Sequence, residues 1–276
     1  MNNFWTRTLT GAVFVVVMIG GILWNFWSFI GLFFLISMLG LWEFYSLIEH
    51  KWKKPQKIIG IILFLSLIST SCIKYIYLIP DIFLHHEFLI FILVFPAYLI
   101  VKLFQKEKPF HITFTTLFGI FYVILPFCYL ILSYSNQSYW GNSNNTKIIL
   151  GYFLLIWSND TFAYLVGISI GKHRLFERIS PKKSWEGFIG GIVLTQGVAY
   201  TLSLYFTELA LIHWLAIALI VSVFGTLGDL VESMFKRSLG VKDSGNILPG
   251  HGGILDRFDG VLLSSPFVVT YLMMIR

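Results

Sequence analysis

The stretch Ser233 to Gly260, SMFKRSLGVKDSGNILPGHGGILDRFDG, is polar, glycine-rich and charged in both signs, yet it is set between two long apolar runs, Leu211 to Leu230 and Phe258 to Ile275. Its content suits phosphate chemistry. Lys236, Arg237, Lys242 and Arg257 offer cationic donors to phosphoryl oxygens, and Asp243, Asp256 and Asp259 offer hard oxygen ligands to a divalent cation. Gly250, Gly252 and Gly253 flank His251 just before the next apolar run. Such a loop lets backbone N–H groups approach an anion at a helix start, where the helix dipole also favours negative charge.

Outward from this stretch, the chain is greasy. Of its 276 residues 57% are hydrophobic and 12% charged, against roughly 25% charged in soluble domains. Runs long enough to cross about 30 Å of hydrocarbon lie at Leu9 to Trp24, Trp27 to Ile48, Ile58 to Leu78, Phe88 to Phe104 and Ile112 to Leu132. Four more follow at Ile148 to Ile170, Phe188 to Phe206, Leu211 to Leu230 and Phe258 to Ile275. The expected fold is an all-α polytopic membrane protein of about nine transmembrane helices.

The formal charge of +6 is distributed as a bilayer distributes it, which argues against a nucleic-acid partner. With a cytoplasmic N-terminus, the cytoplasmic segments hold all of the 20 Lys and Arg residues except Lys74, Lys147 and Arg276. The positive-inside rule then places the N-terminus in the cytoplasm and the C-terminus outside. Cys72 and Cys128 lie in apolar runs without metal-type spacing and read as packing residues. The first run has no small-residue cleavage pattern at its end and reads as a retained span.

Residues 1–134 carry topology and little chemistry, and are expected to form a scaffold or dimerisation region. Trp24, Trp27, Trp42 and Trp52 sit near run ends, as an interfacial aromatic belt does. Glu43, between Trp42 and Phe44, is a carboxylate inside the second run, either a polar contact within the bundle or a residue near the cytoplasmic interface. The polar segment Ser133 to Lys147 divides the chain. Residues 148–276 form the expected catalytic region, with cytoplasmic loops at 171–187 and 233–257. No internal repeat of the kind many transporters carry is evident.

In the sixth run, Asn159 and Asp160 lie near the middle. An ionised Asp at that depth costs on the order of 2.5–3.5 kcal/mol on insertion scales, so a functional or strongly paired role is expected, with helix-to-helix bonding as the alternative. In the loop Gly171 to Gly187, Pro181 forbids a continuous helix and presents Lys182 and Lys183 at a turn, where they can also attract anionic headgroups. His173 reads as a polar loop residue. Asp229 and Ser233 are four apart at the end of the eighth run, and Asp256 and Asp259 three apart at the start of the ninth, so each pair shares a helical face. Acids in a first turn also compensate the helix dipole, at about 0.3–1 kcal/mol each. Asp229, Asp256 and Asp259, from two helices at one depth, are nevertheless better read as metal ligands, with magnesium the favoured ion and room for a second cation.

The order S-x-x-K-R-x4-K-D-x-G-x2-L-P-x-H-G-G-I-x-D-R-x-D, from Ser233 to Asp259, resembles the signature of the phosphatidate cytidylyltransferase (CDP-diacylglycerol synthase) family. Asn159-Asp160-Thr161-x-Ala163-Tyr164-x2-Gly167 and Ser180-Pro181-Lys182-Lys183-Ser184-x-Glu186-Gly187 resemble two further blocks of that family. The resemblance implies that CTP and phosphatidate give CDP-diacylglycerol and pyrophosphate, in a bacterial inner membrane with the site facing the cytoplasm. Asp229, Lys236, Arg237, Lys242, Asp256, Arg257 and Asp259 are the expected catalytic residues. Asn159, Asp160, Lys182, Lys183, Glu186, Ser233, Asp243, His251, Gly252 and Gly253 are the expected substrate-binding residues.

The residues suit that reaction for reasons of their own. A phosphate monoester has a second pKa of about 6 and attacks as a dianion without a general base. What it needs is positioning against a polyanion and neutralisation of charge. No GxxxxGK[ST] loop, HExxH helix or G-x-S-x-G elbow is present. The alternative is a transporter or channel built around Asp160 for an ion or phosphorylated solute. It lacks an outer gate to match the charges clustered on the cytoplasmic side.

Overall fold

A backbone in lipid must satisfy its own hydrogen bonds, and a helix does so within one segment. The computed structural model describes residues 3–49, 61, 109–135 and 145–275, and nearly all of them are helical. Helix α1 (Asn3–Leu23) and α2 (Phe26–Glu49) are joined at Asn25. There the Ser28 backbone N–H donates to Asn25 Oδ1 at 2.8 Å, capping α2. Next come α3 (Pro109–Gly119), a π-helical turn (Ile120–Ile124) and α4 (Leu125–Ser135), which form one continuous rod. The widened turn immediately precedes Pro126, whose missing N–H leaves the α-helical ladder incomplete at that point.

After the connector come α5 (Asn145–Ile170), a two-stranded hairpin of β1 (Arg174–Phe176) and β2 (Ser180–Ser184), and α6 (Trp185–Tyr205). Helices α7 (Leu211–Leu239) and α8 (Leu255–Met274) complete the chain. The basic segment expected as a turn is therefore a hairpin, with Arg174 paired to Ser184 and Phe176 to Ser180. Pro181 is accommodated because a two-stranded ribbon leaves an edge where no N–H is required. Helix α7 outruns the apolar run that announced it, ending at Gly240 in the left-handed conformation (φ 77°). That extra length carries Glu232, Ser233, Lys236 and Arg237 as helical residues.

Among the described residues, six helical segments are long and apolar enough to cross a membrane: Trp5–Leu23, Phe26–Glu49, Phe114–Ile131, Thr146–Ile170, Trp185–Tyr205 and Leu211–Leu239. The expected spans at Ile58 to Leu78 and Phe88 to Phe104, with Cys72, lie outside the described residues. Helix α8, expected as a span, is not among the six. Its charged first turn and Ser264, Ser265 and Pro266 lower its hydropathy.

Those serines are buried and bonded inside the bundle. Ser264 Oγ meets Tyr152 Oη at 2.8 Å, and Ser265 Oγ donates to the Pro126 carbonyl at 3.2 Å. Aromatic packing joins the N-terminal helices to the C-terminal ones: Phe33 of α2 and Phe258 of α8 both contact Phe127 of α4, and Phe44 stacks on Phe235 of α7 with centroids 4.9 Å apart. Cys128 is buried in the same core.

Candidate active site

Close helix approach builds the site. Along α5 and α6 and at their adjoining ends, Ala163, Gly167 and Gly171 face Ser184, Gly187 and Gly191, so the two backbones meet with almost no side chain between them. Asn159, buried, points its Oδ1 at Gly191 and sits in this seam. On the other side, Gly228 of α7 lies directly against the Asp259 carbonyl of α8, where a methyl group would overlap it. That contact brings Asp229 and Asp259 to the same level.

Between α1, α5, the hairpin, α7 and the signature loop lies an open cavity of about 1060 Å³. It is lined by Asp160, Lys182, Lys183, Asp229, Ser233, Lys236, Arg237, Lys242, Asp243, His251, Asp256, Arg257 and Asp259. Residues from three separate sequence blocks thus share one space. Four of the expected residues lie outside the lining. Asn159 is in the helix seam, Gly252 and Gly253 are behind Asp256, and Glu186 is turned to the hairpin.

Glu186 braces that hairpin. Its carboxylate accepts from the backbone N–H groups of Lys172 and His173 at 3.1 and 3.2 Å, and meets His173 Nδ1 at 2.6 Å. His173, expected as an ordinary loop residue, is thus Glu186's partner. Ser184 caps α6 by accepting from Gly187 N at 3.1 Å. Lys183, at the end of this braced hairpin, reaches Asp229 Oδ2 at 2.6 Å, while Asp229 Oδ1 accepts from Ser233 at 3.2 Å.

Lys236 lies deeper, its side chain 10% exposed, and joins two acids. It pairs with Glu232 one turn earlier at 2.5 Å and with Asp256 Oδ1 on the next helix. The second oxygen of Asp256 accepts from Ser244 N at 2.9 Å, Gly253 N at 2.8 Å and Ser244 Oγ at 3.0 Å. Burial opposes ionisation of Asp256, but Lys236 and these N–H donors outweigh it and hold the carboxyl below the usual carboxylate range. Its side chain folds the loop Ser244 to Gly253 back onto the start of α8. Gly250 and Gly252 carry φ of 77° and 84° there, values that suit glycine.

Asp259 differs from its neighbours. Its Oδ1 accepts from Gly260 N at 2.6 Å, and no Lys or Arg among the described residues pairs with it. Among the described residues, no three His, Cys, Asp or Glu side chains converge as a ready set of metal ligands.

Several contributors lay outside the sequence motifs. Thr10, Gly11, Phe14 and Val15 of α1 form one wall, and Arg174 of the hairpin adds a cation. Helix α1 also abuts the glycine loop, with Arg7 against Gly250 and Gly11 against His251. From beneath, Glu43 of α2 reaches Ser244 and Leu255. A carboxylate in an apolar run was the one signal that could have found it.

The Cytidylyltransferase family model matches residues 5–275. The chain belongs to that family. Its curated relatives include proteins named phosphatidate cytidylyltransferase in three staphylococci. The Staphylococcus aureus (strain COL) protein is 48% identical over 148 residues, 51% of this chain and 56% of the relative. The Staphylococcus haemolyticus protein is 47% identical over 148 residues, again 51% and 56%. The Staphylococcus saprophyticus protein is 46% identical over 153 residues, 55% and 56%. The chain spans about half the length of the curated relatives it matches.

Proposed function

We propose that the protein transfers the cytidylyl group of CTP to phosphatidate, releasing pyrophosphate and forming CDP-diacylglycerol for phospholipid synthesis. The observation that carries this reading is the cavity: cations from the hairpin, α7, the loop and α8 surround a small group of carboxylates in one open space. The family's name and its staphylococcal relatives point the same way.

On this reading the phosphatidate phosphate, already a dianion, attacks the α-phosphorus of CTP, and the bond to pyrophosphate breaks. Lys182, Lys183, Arg237, Lys242 and Arg257 orient the phosphates and offset their charge. Lys183 leaves Asp229 for the substrate when an anion arrives. Lys236 stays in place, because Glu232 and Asp256 hold it, and contributes a fixed positive potential. Ser233, Asp243 and His251 complete the binding surface, with Asp160 opposite and Asn159 supporting its helix from the seam.

Magnesium is part of the proposal, with a second cation beside it: of the expected ligands Asp229, Asp256 and Asp259, Asp259 and, once Lys183 has left it, Asp229 would hold the ion, whereas Asp256 as it stands does not fit, being committed to Lys236 and to three donors of the loop. Asp259 has no cationic partner among the described residues, and magnesium commonly needs only one or two protein carboxylates when substrate phosphates supply the rest. When bound it would offset charge on the triphosphate and the leaving pyrophosphate.

The distribution of Lys and Arg supports nine spans, a cytoplasmic N-terminus, an outer C-terminus and a site open to the cytoplasm. The bacterial relatives favour an inner membrane. Residues 1–134 then serve as a scaffold and homodimer surface, and residues 148–276 as the catalytic region.

The deciding experiment gives purified protein phosphatidate and labelled CTP, with and without magnesium. Magnesium-dependent CDP-diacylglycerol and pyrophosphate are expected in equal amounts. CTP cleavage without a lipid product, or no reaction in folded protein, refutes the reading.

A further inference from the structure

Glu43 belongs to none of the motifs, yet it is 4% exposed and lies against the loop that forms the cavity floor. Its Oε2 accepts from Ser244 Oγ at 3.1 Å and from the backbone N–H of Leu255 at 3.0 Å. We propose that Glu43 is a positioning residue, which sets the Ser244 to Gly253 loop and the first turn of α8 for the cytidylyl transfer read above, on which this inference rests.

The reason lies in how α8 starts. The first N–H groups of a helix have no partner inside it, and Ile254, at the N-cap, supplies no side-chain acceptor. Glu43 takes that place from another helix altogether, accepting from Leu255 N, the first N–H of α8, while Asp256 reaches back to Gly253 N just ahead of the helix. Negative charge at this end is also favoured by the helix dipole.

Ser244 lies between the two carboxylates and shares its one hydroxyl proton between them, with Oγ 3.1 Å from Glu43 Oε2 and 3.0 Å from Asp256 Oδ2. Asp256 in turn holds Lys236. A displacement of Glu43 therefore passes through one hydroxyl to Asp256, and through one backbone N–H to the turn that carries Arg257 and Asp259.

The fit is close. A Cβ at Gly245 would lie 2.5 Å from Glu43 Oε1, and one at Gly253 would lie 2.5 Å from Oε2. Both positions leave room for this carboxylate. The other oxygen, Oε1, is buried without a hydrogen-bond partner, so the side chain is placed for what Oε2 holds. Catalytic geometry is sensitive to shifts of about 1 Å, which is the scale on which removing such a support acts.

The test compares Glu43→Ala, Glu43→Gln and Tyr45→Phe. Tyr45 lies on the same helix and donates to the Thr116 carbonyl at 2.7 Å, away from the loop. Turnover in Glu43→Ala is expected to fall about tenfold or more, with KM for CTP and phosphatidate within about threefold of wild type. Glu43→Gln, which keeps an acceptor for Leu255 N, is expected to retain more than about a third of turnover. Tyr45→Phe is expected to lower the melting temperature and leave turnover alone.

Amide hydrogen exchange of the same proteins supplies a readout that does not need the reaction. Glu43→Ala should raise exchange in Ser244 to Leu255 selectively. Wild-type turnover and exchange in Glu43→Ala would overturn the proposal. So would a turnover loss accompanied by faster exchange throughout α2 and α7, which is what a purely structural residue produces. If the wild-type protein makes no CDP-diacylglycerol, the reaction reading fails, and the exchange result alone decides whether Glu43 orders the loop.

Discussion

Helices α2 and α4 meet through aromatic rings, with Phe33 against Phe127, whereas α5 and α6 meet through Ala163, Gly167, Gly187 and Gly191. The two interfaces do different work. Rings fill space between backbones that stay apart, and their burial holds the bundle together. Small residues let backbones touch, so that polar groups on neighbouring helices reach one another without long side chains. The N-terminal helices supply bulk, and the C-terminal helices place Asp160, Lys183, Asp229 and Asp259 around one cavity. The exceptions, α1 along the cavity wall and Glu43 beneath it, show that the first region also shapes the site.

The largest effect is expected at Asp259. It lines the cavity without a Lys or Arg partner among the described residues, so Asp259→Asn removes a candidate magnesium ligand while breaking no ion pair of the fold. Turnover should fall by about 10²-fold or more, the scale for losing one preorganised electrostatic group, with little change in melting temperature. The assay is CDP-diacylglycerol formation against magnesium concentration. Unchanged turnover and magnesium dependence would move the reactive centre away from α8 and break the contrast between regions.

The two cavity lysines separate stability from chemistry within the second region. Lys236→Ala leaves Glu232 and Asp256 facing each other in a largely buried place and should cost about 3–5 kcal/mol of stability. Lys183→Ala opens a pair whose side chains are 25% and 38% exposed, so about 1 kcal/mol or less is expected, with turnover reduced about tenfold or more. Denaturation in detergent and kinetics on both variants would test this. Equal stability losses would show that burial does not separate the two lysines.

Phe33→Ala tests the first region. The ring is fully buried between Phe29, Phe127 and Phe153, and its removal should cost about 3 kcal/mol or more. In protein that remains folded, turnover per molecule should stay within about twofold of wild type. A larger specific loss would give the aromatic core a direct part in the site.

Much of this arrangement was legible because its causes are local. An apolar run is a helix in lipid wherever it falls, and Asp160, costly at its depth, announces itself. The signature residues from Ser233 to Asp259 share a cavity because a short loop joins two packed helices. Direction was less legible. Asp256, spaced to share a face with Asp259, turns instead to Lys236 and the loop backbone, because orphan N–H groups at Ser244 and Gly253 compete for it. Nothing in the sequence showed that Glu186, expected at the substrate, would also brace the hairpin through Lys172 and His173. Contacts between distant segments were not legible at all: Glu43 and Ser244 are 201 residues apart, and nothing near Glu43 specifies its partner.

The smallest effect concerns the far end of the second region, and it decides whether function follows the region or only one end of it. At the start of α5, Lys147 pairs with Glu208 at 2.7 Å, away from every residue that lines the cavity. The lysine side chain is 41% exposed and the glutamate 9%. An exposed cation gives up part of its attraction to water and salt, so the pair stabilises by about 1 kcal/mol at most. Glu208 Oε2 is buried without a hydrogen-bond partner, so losing the lysine leaves that carboxylate less well compensated. Lys147→Ala should therefore lower the melting temperature by a few degrees at most, by roughly the amount that ~1 kcal/mol produces in a chain of this size. KM and kcat should both match wild type. If turnover instead changes by more than about threefold while the protein stays folded, then α5 transmits a shift along its length to Asp160. The useful division would then no longer be between the ends of the helices, because the glycine seam would make α5 and α6 move as one body.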